Sequence, residues 1–123
     1  MLNLFMVEDS PMMRARLHAA LSEIPGTDVN GFAETAEDAI TEIRRRKPDV
    51  VLLDFRLRDG TGLEVLKEVK EQKPSPIVVV LTNLQNPKYR EISLLNGADH
   101  FFHKATEFDA VLDLIRMLAQ SEN

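Results

Sequence analysis

The stretch Val50-Val51-Leu52-Leu53-Asp54 constrains the fold more than any other part of this chain, because four branched apolar residues run without interruption into a carboxylate. A strand with one wet face alternates apolar and polar residues. A run without alternation marks a strand covered on both faces, as in the middle of a parallel sheet. Ile77-Val78-Val79-Val80-Leu81 repeats the pattern and ends in Thr82-Asn83. Strands of this kind need helices above and below them, and in open α/β sheets the ligand crevice lies outside their carboxyl ends. Asp54 is therefore either a cap for the following loop or the working residue of a site.

The remaining segments fit the same architecture. Leu2 to Val7 reads as a first strand ending in Glu8-Asp9, and Ser10-Pro11 supplies a cap and a proline at the first helical position. Met13, Leu17, Ala20, Leu21 and Ile24 then recur at helical spacing until Pro25-Gly26. Asp28 to Phe32 reads as a weaker strand at a sheet edge. Thr35 and Asp38 have capping-box spacing ahead of a helix that buries Ala36, Ala39, Ile40 and Ile43. Arg44-Arg45-Arg46-Lys47 closes that helix, where the helix dipole favours cations.

After the loop from Phe55 to Gly60, a third helix is expected to bury Leu63, Leu66 and Val69. Asn86-Pro87 opens a fourth, running through Leu94 and Leu95 to Asn96-Gly97. Asp99 to His103 reads as a fifth strand ending at Lys104. Thr106 with Asp109 is expected to cap a last helix with Phe108, Val111, Leu112, Ile115 and Leu118 on its apolar face. Strand then helix, five times over, predicts a doubly wound α/β fold: a five-stranded parallel sheet with helices on both faces and right-handed crossovers. One domain over residues 1–123 is expected, with no output domain attached.

Composition removes several classes of function. A formal charge of −5 argues against direct nucleic-acid binding, which needs clustered positive potential. The absence of cysteine removes disulfides, thiolate metal sites and thiol nucleophiles. The apolar start lacks a basic leader and is too short to span a bilayer, so a cytoplasmic protein without membrane insertion is expected.

What collects at the strand ends points to chemistry. In a parallel sheet Glu8, Asp9, Asp54, Thr82 and Lys104 all leave the same edge. Three neighbouring carboxylates repel one another unless a cation is present, and oxygen ligands without imidazole or thiolate select a hard one such as Mg²⁺. A lysine and a hydroxyl alongside suit the oxygens of a phosphoryl group. A carboxylate in that setting can itself carry the phosphoryl group.

In chain order, Glu8-Asp9-Ser10, Val50 through Asp54, Asp59-Gly60-Thr61-Gly62-Leu63, Leu81-Thr82, and Asn96-Gly97-Ala98-Asp99 followed by Phe101 and Lys104 resemble the receiver domain of two-component response regulators over essentially the whole chain. The resemblance implies a flavodoxin-like fold with strand order 2-1-3-4-5. It implies that Asp54 accepts a phosphoryl group from a sensor histidine kinase or a histidine phosphotransfer protein. Glu8, Asp9, Asp54 and the backbone carbonyl of Arg56 would hold Mg²⁺, while Thr82 and Lys104 would meet the phosphoryl oxygens. Thr82 and Phe101 would move together on activation, altering a face formed by the last two helices and the strand between them, near Tyr89, Ile92, Phe101 and Val111. A downstream target protein would read that face. The family also implies a monomer or weak homodimer, and no enzymatic activity beyond self-phosphorylation from small donors and self-dephosphorylation.

The chain departs from the common family pattern at four positions. Ala105 stands where a proline, often after a cis bond, is usual. Before a non-proline residue a cis bond costs about 2.5–4 kcal/mol, so a trans Lys104–Ala105 bond is predicted. Arg58 replaces a frequent proline and leaves its loop freer, Asn83 replaces a small residue, and Arg56 can lean over the site. Arg56 and Asn83 flank the path of an attacking water and are expected to tune phosphoryl lifetime. A pseudo-receiver acting only as a binding module is the rival reading, and the complete residue set speaks against it. A flavin mononucleotide carrier would want a glycine- and hydroxyl-rich loop where Glu8-Asp9 stands. A haloacid-dehalogenase-type phosphatase would want a second aspartate at Arg56.

Overall fold

The strands owe their apolar runs to two separate cores. In the computed structural model, which describes residues 1–121 of the expected 1–123 domain and so leaves Glu122 and Asn123 outside, five parallel strands pair in the order β2-β1-β3-β4-β5. They are β1 (Leu2–Val7), β2 (Thr27–Ala33), β3 (Val50–Leu53), β4 (Ile77–Thr82) and β5 (His100–His103). Between and after them lie α1 (Pro11–Ser22), α2 (Ala36–Arg46), α3 (Gly62–Lys70), α4 (Pro87–Leu95) and α5 (Phe108–Ser121). This is the doubly wound order that the resemblance implies.

Successive strand residues point to opposite faces. Phe5, Val7, Val51, Leu53, Val78 and Val80 pack with Ala39 and Ile43 of α2 and Val65, Leu66 and Val69 of α3. Leu4, Met6, Val50, Leu52, Val79 and Leu81 pack with Leu17 and Leu21 of α1 and Val111 and Ile115 of α5. β3 and β4, which feed both cores along their length, have no position for a polar side chain until they end. β2, at one edge, buries only Ala33 fully, which is why its sequence signal is weak.

The caps refine the sequence reading. Ser10 accepts from Met13 N as expected. Thr35 accepts from Asp38 N, but among the described contacts no Asp38 side chain returns the bond, so that capping box is half made. The complete box is at Thr61 and Glu64, at the start of α3. The expected Thr106–Asp109 cap does not form. Glu107 precedes α5 instead: its Oε1 accepts from His103 N at 2.9 Å while its own N–H donates to the His103 carbonyl at 2.9 Å. The open outer edge of β5 explains the exchange, because His103 N needs an acceptor that no further strand provides. α5 also buries Leu114 and Ala119, beyond the expected face, with Phe108, Leu112 and Leu118 half-buried. The Lys104–Ala105 bond is trans, as predicted. No helix among the described residues is long and apolar enough to cross a membrane.

Candidate functional site

All the polar residues singled out at the strand ends meet at one edge of the sheet. Asp54 leaves β3 with its N–H donating to the Val7 carbonyl at 2.9 Å, which keeps it in register with the end of β1. Lys104 leaves β5 with its N–H donating to the Thr82 carbonyl at 2.9 Å. A cleft of about 350 Å³ opens there, lined by Asp9, Asp54, Arg56, Thr82, Asn83, Leu84 and Lys104.

Two glycines shape the loop that carries Asp54 into α3. A Cβ on Gly62 would sit 2.2 Å from the Asp54 carbonyl oxygen and 2.7 Å from Phe55 Cα, so the chain closes against itself only without one. Gly60, at φ +80°, takes a left-handed conformation that L side chains resist, and a Cβ there would meet Ala36 at 2.5 Å. The Asp59 carbonyl accepts from Ala36 N at 2.9 Å, tying this loop to the start of α2.

Lys104 is the electrostatic centre of the site. Its buried ammonium lies 2.7 Å from Asp54 Oδ2 and 2.5 Å from Glu8 Oε1. Burial works against the charge on Lys104, but its hydrogen bonds to Asp54 and Glu8 outweigh that and hold the ammonium above its ordinary range. Glu8 is also buried, and burial raises its carboxyl above the usual range. The Asp54 charge pushes it further up, and the Lys104 hydrogen bond offsets this only in part. Glu8 Oε2 accepts from Ser10 N at 3.1 Å, and Asp54 Oδ1 accepts from Arg56 N at 3.3 Å.

Glu8, Asp9 and Asp54 each offer a carboxylate oxygen, all within 4.8 Å of one another. Three carboxylates gather beside one buried ammonium, so the formal charge of the cluster is negative. An all-oxygen donor set at that spacing fits a hard divalent cation. Thr82, buried at the end of β4, uses its hydroxyl oxygen to accept only a long 3.4 Å bond from Leu84 N, which leaves the O–H free to donate into the cleft. Arg56 and Asn83 line the cleft, and both residues are exposed. Arg58 does not line the cleft; its Nη2 lies 3.6 Å from Glu34 Oε1.

Phe101 is buried among the residues of the α2–α3 face, edge-on to His103 at 5.5 Å between centroids. The Arg90 guanidinium lies 5.9 Å from its ring and Arg90 Nη1 donates to its carbonyl at 3.3 Å. The sequence reading missed Leu84 as a wall of the cleft, and Arg14 and Glu34 behind it. A charged residue facing the acid end of β1 from α1 was the available signal for Arg14. Glu34 carried no signal of its own.

The model of the response regulator receiver domain matches residues 4–116. Among curated proteins, the response regulator protein VraR of Staphylococcus epidermidis is 31% identical over 117 residues, covering 95% of this chain and 56% of that protein. Among solved structures, a LuxR-family DNA-binding response regulator of Staphylococcus aureus superposes with a TM-score of 0.88 at 24% identity, covering 97% of this chain and 99% of that one. The BeF3-activated N-terminal receiver domain of RstA from Klebsiella pneumoniae superposes with a TM-score of 0.84 at 28% identity, covering 95% and 97%. The chain spans about half the length of the first curated relatives it matches. The sheet order, the acid cluster and these likenesses agree: the chain belongs to the response regulator receiver domain family of two-component signalling.

Proposed function

We propose that this domain is a phosphorylation-controlled switch in which Asp54 accepts a phosphoryl group from a phosphohistidine of a sensor kinase or phosphotransfer protein. The observation that carries the reading is the Asp54 carboxylate, at an open cleft and bonded to the buried Lys104 at 2.7 Å, with Glu8 and Asp9 beside it. An Asp54 oxygen forms the new P–O bond as the P–N bond to the donor imidazole breaks. Glu8, Asp9, Asp54 and the Arg56 carbonyl would hold Mg²⁺, whose positive charge would offset repulsion between carboxylates and phosphoryl oxygens. Lys104 then turns from Glu8 and Asp54 to a phosphoryl oxygen, and the Thr82 hydroxyl donates to another.

Phosphorylation favours one of two arrangements of Thr82 and Phe101 and so alters the face of α4, β5 and α5, where a target protein binds. Arg56 and Asn83, at the rim, set how readily water reaches the phosphoryl group. The domain works in the cytoplasm, as a monomer or weak homodimer, and its own chemistry is limited to self-phosphorylation from small donors and self-dephosphorylation. Incubation with Mg²⁺ and acetyl phosphate tests the central step. Intact mass should rise by one phosphoryl group, and the gain should disappear in Asp54→Asn and with a chelator. No gain from acetyl phosphate or any kinase would leave a binding module that is not phosphorylated.

A further inference from the structure

Arg14 belongs to none of the segments that carry the family resemblance, yet its guanidinium is among the most fully engaged groups in the molecule. From one nitrogen, Nη1, it donates to the Glu8 backbone carbonyl at 2.9 Å and to Glu34 Oε2 at 2.8 Å. The guanidinium carbon also lies 4.2 Å from the centroid of the Phe32 ring. Its side chain is 15% exposed and that of Glu34 31%. Arg58 approaches the other Glu34 oxygen at 3.6 Å, but that pair is long and exposed on the arginine side and contributes little. The Arg14 contacts are short, sheltered and stacked, a combination that a planar guanidinium makes and an ammonium does not.

The position of this contact matters more than its strength. Glu8 N–H already donates to the Ala33 carbonyl at 3.0 Å, so β2 fixes the entry of the chain into Glu8. The Glu8 carbonyl is the next group along, in the same planar unit as the Asp9 N–H. Whatever holds that carbonyl sets the direction in which Asp9 leaves β1. Ser10 N, donating to Glu8 Oε2 at 3.1 Å, closes the same turn from the other side. The acid pair is therefore aimed by a bond from outside its own segment.

We propose that Arg14 is a positioning residue: braced by Glu34 and Phe32, it holds the Glu8 carbonyl so that Glu8 and Asp9 present their carboxylates together to a divalent cation. The inference rests on reading the cleft as a divalent-cation and phosphoryl site. An ion pair that merely stabilises the fold would change the unfolding free energy and leave cation affinity in the folded protein as it was. A positioning contact changes the affinity itself.

Calorimetric titration of the folded protein with Mg²⁺ alone separates the two, on wild type, Arg14→Ala, Arg14→Lys and Glu34→Gln, with urea unfolding of each in parallel. Groups behind metal ligands typically change affinity by about 10–100-fold, so Arg14→Ala should raise the Mg²⁺ dissociation constant by about tenfold or more. Arg14→Lys should recover part of the loss, because an ammonium restores a donor but not the planar group stacked on Phe32. Glu34→Gln, which keeps an acceptor and removes the charge, should fall between wild type and Arg14→Ala, and it preserves the test if Arg14→Ala does not fold. Phosphorylation by acetyl phosphate should show the same split: a higher half-saturating Mg²⁺ in the variants and a recovered rate at saturating Mg²⁺. Wild-type affinity in both folded Arg14→Ala and Glu34→Gln, whatever their stability, would overturn the inference while leaving the site reading intact. A wild-type protein that binds no Mg²⁺ would overturn both.

Discussion

α3 and α4 are helices of nine residues each that follow neighbouring strands and start from polar caps, yet they rest on the sheet very differently. α3 starts from a complete capping box and buries Gly62, Val65, Leu66 and Val69. α4 fully buries one residue, Ser93, whose hydroxyl has no hydrogen-bond partner among the described residues, and only half-buries Tyr89 and Ile92. Its Leu94 and Leu95 are 41% and 78% exposed. The loop that carries Asp54 runs directly into α3, whereas α4 follows Thr82 and lies on the face proposed to signal. Under the proposed function, the contrast gives the two sides different tasks. One side holds the acceptor where the strands deliver it, and the other is left loosely attached, as an element that must move is expected to be.

The most direct way to break this contrast is to delete side chains from both helices. Leu66, 1% exposed, packs with the residues of the α2–α3 face. Leu66→Ala should cost about 2–5 kcal/mol by urea unfolding, the usual range for a buried leucine. Leu95→Ala should stay within about 0.5 kcal/mol of wild type, as exposed substitutions do. Similar losses at both positions would mean that α4 is packed in solution in a way this structure does not show.

Gly62→Ala tests the held side from the backbone. The added Cβ meets a carbonyl oxygen and an α-carbon rather than the far end of a flexible chain, so the loop itself must shift. Overpacking of this kind costs about 1–3 kcal/mol or more, and here the displaced carbonyl is that of Asp54. Phosphoryl uptake from acetyl phosphate should therefore fall even under conditions where Gly62→Ala remains folded. An unchanged rate would show that Asp54 is held by β3 alone.

The same contrast separates what was legible in the sequence from what was not. β3 and β4 could be read outright because burial on both faces leaves no room for a polar residue before Asp54 and Thr82. The edge strand β2 runs one residue beyond Asp28 to Phe32 at each end, because a strand with one neighbour carries mixed residues and no apolar run marks its limits. The acids, the threonine and the lysine were legible because a parallel sheet sends the ends of its strands to one edge. Arg14 and Glu34 were not, because their pairing depends on where the loop between β2 and α2 lies in space. The cap of α5 misled for a related reason: Thr106–Asp109 has suitable spacing, but the unpaired His103 N on the sheet edge draws in Glu107 instead. That α4 would leave Leu94 and Leu95 exposed could not be read from spacing, which gives a helix a face but not a neighbour.

Caps offer a finer comparison. Thr61 accepts from Glu64 N at 3.3 Å, and Glu64 Oε1 accepts in return from Thr61 N at 3.1 Å. Asn86 Oδ1 accepts from Lys88 N at 3.0 Å at the head of α4. Losing such a cap costs about 1 kcal/mol when the helix folds and unfolds with the whole domain. Thr61→Ala should show that full cost in global unfolding. Asn86→Ala should show less, and appear instead as faster amide exchange confined to α4, because a helix that opens locally passes little of its loss to the global transition. Equal global losses would place both helices in one cooperative unit.

The smallest expected effect is on the surface of the held side, in α2. Hydrogen bonds from Arg45 and Arg46 lower the Glu42 carboxyl from 4.5 to about 2. A carboxyl depressed in the folded state adds stability that is fully present above its unfolded value, near 4.5, and is lost as pH falls toward about 2. Glu42 lies at the surface, half-buried under its two arginines, and Arg45 is exposed, so solvent and salt screen most of this interaction and the change in stability should be small. Between pH 5 and pH 2, wild type should lose slightly more stability than Glu42→Gln, and 1 M salt should shrink the difference. α4 has no ion pair of its own among the described residues, so its local opening should change little over the same range. If acid instead loosened α4 first, by amide exchange, the attachment of that helix would depend on charge rather than on its sparse apolar packing.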